Sequence, residues 1–147
     1  MYVFVACSKS KLQIACTAQE IYSASALFNK RLAYAKKIVP EDKIFILSAK
    51  YGLLKLTDPV EPYDCYMGDQ SAEYKFKWMQ MVLKQMQEAG IDRREKTYFA
   101  TGEEYWKQLS SAFKDYTTEK EEVKKALGRG GIGMALQYYD LKIAGQI

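Results

Sequence analysis

Two nearly continuous apolar runs, "YVFVAC" at residues 2–7 and "KIFILSA" at 43–49, constrain this chain most. Neither alternates in polarity, so neither suits a sheet with one wet face. Both read as strands covered on two faces, the usual position in a parallel sheet. "KTYFATG" supplies a third strand at 96–100.

Helix-period segments lie between these runs. Thr17 and Glu20 have capping-box spacing, and Ile21, Ala24, Phe28, Leu32 and Ala35 then recur on one helical face as far as Val39 and Pro40. Ser71 caps a second helix. Its Trp78, Met79, Val82, Leu83 and Met86 share a face, and Gly90 stops it. "EEYWKQLSSAF" reads as a helix after the third strand. "DYTTEKEEVKK" reads as a charged surface helix opened by Thr118 and Glu121, and Ile132, Leu136, Tyr139 and Ile143 form a last helical stripe. "KYGLLKLTDPVEPYDCYMGD" reads as a long connection with turn residues Gly52, Pro59, Pro62 and Gly68.

Strands alternating with helices predict the α/β class. The expectation is a single three-layer domain over 1–147, with a small, mainly parallel sheet flanked by helices. The 147 residues suit one domain, and 48% hydrophobic content can fill its core. No run approaches the roughly 18 apolar residues of a membrane span, and the start lacks a secretory pattern. The chain therefore reads as soluble and cytoplasmic, with no membrane partner.

The chain contains no histidine. That excludes a Ser-His-Asp or Cys-His arrangement within it, and any histidine-bearing zinc site. An acid or base must be Asp, Glu, Lys, Tyr or Cys. Cys7, Cys16 and Cys65 match no zinc spacing and read as free thiols. No metal or other cofactor is implied. The net charge of +4 modestly favours anionic partners.

Parallel strands joined by right-handed crossovers all exit on one edge, where ligands of open sheets bind. The three exits are "CSKSK", "SAKYG" and "TGEEY". Ser8, Lys9, Ser10 and Lys11 offer hydroxyls and ammonium groups to a phosphate, or simply end a strand in water. Lys50 can neutralise an anion, and Tyr51 can stack on a base or merely pack, before Gly52 turns the chain. "DPVEPYD" holds Glu61, Tyr63 and Asp64 between and after prolines. Its carboxylates suit orienting water or stabilising a cation, and suit turns equally well. "GRGGIG" can present N–H groups to an anion at a helix N-terminus, with Arg129 and Gly131 beside it. Glu103 and Glu104 read as complements of a helix N-terminus.

These motifs occur in a familiar order: "ACSKSK", "AQEIYSASALFNK", "ILSAKYGLL", "EPYD" and "GIGMALQ". Together they resemble an uncharacterised bacterial and phage family of small domains of unknown function. The first two are also distantly similar to a module of archaeosine synthase, which shares its general plan with uracil-DNA glycosylases. The histidine that follows the first motif in the archaeosine relative is absent here.

That resemblance implies a site for a base or nucleotide, and points to Cys7, Ser8, Lys9, Ser48, Lys50, Gly52, Tyr63 and Asp64. The resulting expectation is an enzyme acting on a nucleotide, nucleoside or nucleobase, free or in nucleic acid, at an N-glycosidic bond. Asp64 or Glu61 would stabilise the cationic sugar or activate water. Lys50 and Ser8 would hold phosphate, and Tyr51 or Tyr63 would stack. A non-catalytic nucleotide-binding module and a protein-interaction domain are the alternatives. The base, the sugar and the oligomeric state stay open.

Overall fold

The computed structural model describes all residues, Met1–Ile147. Five strands form the main sheet: β1 (Tyr2–Ala6), β3 (Ile44–Ser48), β4 (Gly52–Lys55), β6 (Thr97–Ala100) and β7 (Tyr116–Thr118). Their order is β4-β3-β1-β6-β7, parallel except for β4. A separate antiparallel pair joins β2 (Cys16–Thr17) to β5 (Pro59–Val60).

β1 is the central strand, paired with β3 on one side and β6 on the other. All five of its residues are buried. Val3 and Val5 face one layer, and Tyr2, Phe4 and Ala6 face the other. The first layer is built from α1 (Ala18–Ile21), α2 (Ala26–Ile38), α5 (Glu119–Leu127) and α6 (Ile132–Ile143). The second is built from α3 (Ala72–Glu88) and α4 (Glu103–Leu109), with Trp78, Val82, Met86, Tyr105 and Leu109 against the sheet. This is the three-layer α/β arrangement that the two-sided apolar runs require. No helix is long and apolar enough to cross a membrane.

Several local readings change. The predicted first helix is two helices. α1 ends at Tyr22, and Ser25 caps α2 by accepting from the Phe28 N–H at 3.2 Å. Serines on either side of the break favour a cap over helix continuation, and the break lets the Tyr22 ring enter the core. Ala24, expected on the buried stripe, is exposed.

The long connection contains β4, formed by a hairpin that turns through Ala49, Lys50 and Tyr51. Gly52 ends that turn with a left-handed φ of +76°, which a short hairpin needs and a side chain resists. Residues 116–118 are a fourth parallel strand rather than helix, and only from Glu119 does the chain coil. In α6 the buried side chains are Ala135, Tyr138 and Tyr139, while Ile132 is exposed.

One buried ion pair ties the first layer together. Arg31 on α2 donates from Nε and Nη2 to the two carboxylate oxygens of Glu119 at the start of α5, each at 2.7 Å. Tyr139 on α6 donates to the same carboxylate at 2.5 Å and meets Tyr98 of β6 at 2.8 Å. Arg31 is 8% exposed and Glu119 7%. Burial works against the Arg31 charge, but the hydrogen bonds and charge of Glu119 outweigh it and raise its pKa. Burial, reinforced by the neighbouring phenol and carboxylate, keeps the Tyr139 hydroxyl protonated and donating.

Removing one partner of such a pair strands the other in a dry place. Glu119→Ala is expected to cost about 3–5 kcal/mol in urea unfolding. Replacing both charges, as Arg31→Met with Glu119→Leu, is expected to cost much less. A single-variant loss below about 1 kcal/mol would show that water reaches the guanidinium as at a surface pair.

Candidate functional site

The chain leaves β1, crosses to β3 on one side, and later returns to β6 on the other. The segments leaving β1 and β6 therefore diverge, and a crevice opens at the carboxyl ends of the two strands. A cleft of about 560 Å³ lies there. That is within the size range of small-ligand sites.

Cys7, Ser8 and Lys9 from the first exit line one wall, and Thr101, Gly102, Glu103 and Glu104 from the third line another. Arg31 and Glu119 also border the cleft, along with Lys120, Gly130 and Gly131. Tyr66, Leu27 and Ile132 add apolar surface, with Tyr66 39% and Ile132 70% exposed.

The ionic groups of the cleft sort themselves by partner. Arg31 is spent on Glu119. Lys120 pairs with Glu103, which also binds Lys107 at 2.8 Å. Lys9 and Glu104 remain, and neither makes an ion pair or a carboxylate hydrogen bond within the protein. A free cation and a free carboxylate thus face one cavity. The N-terminus of α6 borders it too. Gly131 precedes that helix with φ +110° and open space around its α-carbon, and no side chain caps the first turn.

Beneath the strand ends runs a set of thiol and phenol groups. The Cys7 Sγ lies 3.1 Å from the Tyr105 hydroxyl. The Tyr63 hydroxyl lies 2.8 Å from Ser48 Oγ and 2.6 Å from the Tyr22 hydroxyl. Burial first, and the neighbouring Cys7 second, push the pKa values of Tyr22, Tyr63 and Tyr105 upward. At neutral pH these phenols are hydrogen-bonding groups and not bases.

The residues singled out in the sequence divide among four places. Cys7, Ser8, Lys9 and Gly131 line the cleft. Lys9 also lines a smaller depression of about 350 Å³ with Lys11, Tyr63 and Asp64. Lys50 borders neither. Its ammonium lies 5.3 Å from the Tyr51 ring centre and 5.9 Å from that of Tyr63. Glu61 faces a separate depression with Cys16, Thr17 and Glu20.

Three expectations need correction on physical grounds. Ser48 is fully buried, and its hydroxyl accepts from the Lys50 and Tyr51 N–H groups, so it closes the hairpin and cannot touch a ligand. Gly52 is structural as well. A Cβ there would come within 2.3 Å of Gln85 Oε1, the atom that accepts the Leu53 N–H. Arg129 is exposed and lies outside the cleft that Gly131 borders. Conversely, Glu104, which the sequence offers as a helix-terminus charge, lines the cleft. Its signal is present in the sequence, because "TGEEY" is the exit of a strand on the same edge as "CSKSK".

Glu103 offers a direct check on one lip of the cleft. Its hydrogen bonds to Lys107 and Lys120 lower its pKa to about 2. A depressed folded value means that its favourable contribution is present above the ordinary carboxylate range of about 4.3 and is lost as pH falls through about 2. The Glu103 side-chain carbonyl resonance is expected to titrate near that value, and Lys120→Ala to move it upward. An unchanged midpoint in the variant would show that the bridge across the lip does not form in solution.

No curated protein matches the chain. The model of a family of unknown function, DUF6884, matches residues 2–141. That span contains every strand, every helix except the last two residues of α6, and all the cleft residues. The chain belongs to this family of unknown function, DUF6884.

Proposed function

We propose that the cleft between the ends of β1 and β6 takes a nucleotide, nucleoside or nucleobase, and that the protein acts at its N-glycosidic bond. One observation carries the reading: Lys9 and Glu104, the two ionic groups of the cleft outside any salt bridge, face the same cavity. An unpaired carboxylate is the group that a departing glycosidic base calls for. As the C1′–N bond breaks, its electron pair goes to the base and the sugar becomes cationic. Glu104 stabilises that cation and takes a proton from the water that adds to C1′. The Lys9 ammonium offsets the negative charge on the leaving ring nitrogen, which takes a proton from solvent while Glu104 returns its own, so that one water is consumed.

The rest of the cleft suits the remaining parts of such a substrate. Tyr66, Leu27 and Ile132 offer apolar surface to a flat ring. The uncapped start of α6 favours an anion, because the N–H groups of its first turn have no intrahelical acceptors. Glu104 replaces Asp64 and Glu61 in the catalytic role, since neither of those borders this cleft.

The test is incubation with a panel of nucleosides and nucleotides, with bound species and products identified by mass spectrometry. Free base and sugar are expected as products. Glu104→Gln is expected to lower turnover at least roughly 100-fold, at the lower end of general acid–base contributions, while ligand stays bound. Unchanged nucleotide retained by the parent protein would make this a binding module. Failure to bind any member of the panel would remove the nucleotide reading altogether.

A further inference from the structure

We infer that the substrate residue is carried in a single-stranded nucleic acid, whose backbone follows a lysine–tyrosine track beside the cleft. This rests on the preceding reading for the occupant of the cleft and adds the chemical class that delivers it.

Three lysines here each lie over a tyrosine ring. Lys9 lies 5.3 Å from the Tyr66 ring centre, and Lys11 lies 4.4 Å from that of Tyr63. Lys50 lies near both Tyr51 and Tyr63, whose rings meet edge to face at 5.3 Å. None of the three lysines pairs with a carboxylate; six lysines elsewhere do, and the rest of the chain's lysines, like these, stand free of one. Asp64 borders the same small depression as Lys9 and Lys11 and still pairs with neither. The track therefore carries three ammonium groups outside any salt bridge, an excess over the single carboxylate of Asp64, beside aromatic faces.

A free nucleotide in the cleft has no use for most of this. It reaches Lys9, but Lys11 and Lys50 lie outside the cavity. A polymer supplies what they lack, because a single strand repeats phosphate and flat base along its length. Cationic grooves with interleaved aromatic rings are the general solution for such strands. The platform is also preorganised. The Tyr63 hydroxyl is held at the end of β3 by Ser48 at 2.8 Å and by Tyr22 at 2.6 Å, so its ring is fixed before any strand arrives. Lys9 borders both the depression and the cleft, and so links the track to the cavity.

The experiment is fluorescence anisotropy with labelled oligothymidylate and oligouridylate of about 12 nucleotides, within the usual span of single-strand sites. Thymidine and uridine monophosphates, inorganic polyphosphate and polyglutamate serve as competitors. The oligomers are expected to bind at least about tenfold more tightly than the monophosphates, with affinity falling steeply as salt rises. Comparing the two oligomers shows whether DNA or RNA is preferred. In the double variant Lys11→Ala/Lys50→Ala, the slope of log affinity on log salt is expected to shrink by about 1.4, at roughly 0.7 per lost single-strand contact. Monophosphate binding and the thermal midpoint should not change, and Lys11→Arg/Lys50→Arg should restore the slope.

Oligomers binding no more tightly than monophosphates would overturn the track while leaving the nucleotide reading intact. So would an unchanged salt slope in the alanine variant. Equal competition by polyphosphate would reduce the track to a charge patch, and preference for polyglutamate would assign it to an acidic protein. If neither monomer nor oligomer binds, both readings fall together.

Discussion

Every feature of the edge where the parallel strands end depends on the confinement of β1. Its five residues are hydrogen-bonded to strands on both sides and covered by helices on both faces. A strand in that position cannot slide by one residue without exchanging its two inward faces, Val3 and Val5 for Phe4 and Ala6. The point at which the chain leaves the sheet is therefore determined to a single residue. Cys7, Ser8 and Lys9 emerge there because no polar side chain is accommodated any earlier. β6 is confined in the same way beside it, so Thr101 to Glu104 emerge opposite. The crevice between them is a consequence of two buried strands whose connections run in different directions.

The helices of the first layer meet that crevice through charge. Arg31 and Glu119 come from different helices, and their pairing at the border of the cleft satisfies both charges. Pairing also has an electrostatic effect on the site. With Arg31 committed to Glu119 and Lys120 to Glu103, the field inside the cleft is left to Lys9, Glu104 and the start of α6. A cavity with so few free charges can discriminate strongly between ligands, because each unpaired group must find a complement when water is displaced.

The order of elements was legible because strand and helix have different apolar periods, and those periods survive in a single sequence. The three central strands, the caps at Ser71 and Thr118, and the stop at Gly90 were all readable for this reason. Short elements were not. β2, β5 and β7 are two or three residues long, too few to show any period, and each exists only because a partner strand supplies its hydrogen bonds. The split of the first helix was hidden for a related reason. Ile21 and Phe28 keep helical spacing across the break, although Tyr22 to Ser25 leave the helix between them.

The candidate site divides along the same line. Local chemistry in the sequence determined that polar and cationic groups follow each buried strand, that a glycine turns the chain after Tyr51, and that no histidine chemistry is available. Tertiary structure alone decided which of these groups share a cavity. It placed Glu104 with Lys9, turned Glu61 toward another depression, buried Ser48 beneath the hairpin, and left Lys50 among tyrosine rings. The physical reason is range. Hydrophobic period and capping act over a few residues and are written in neighbouring letters. The meeting of residue 9 with residue 104 is set by which side of β1 each later strand joins, a choice made by the packing of the whole sheet.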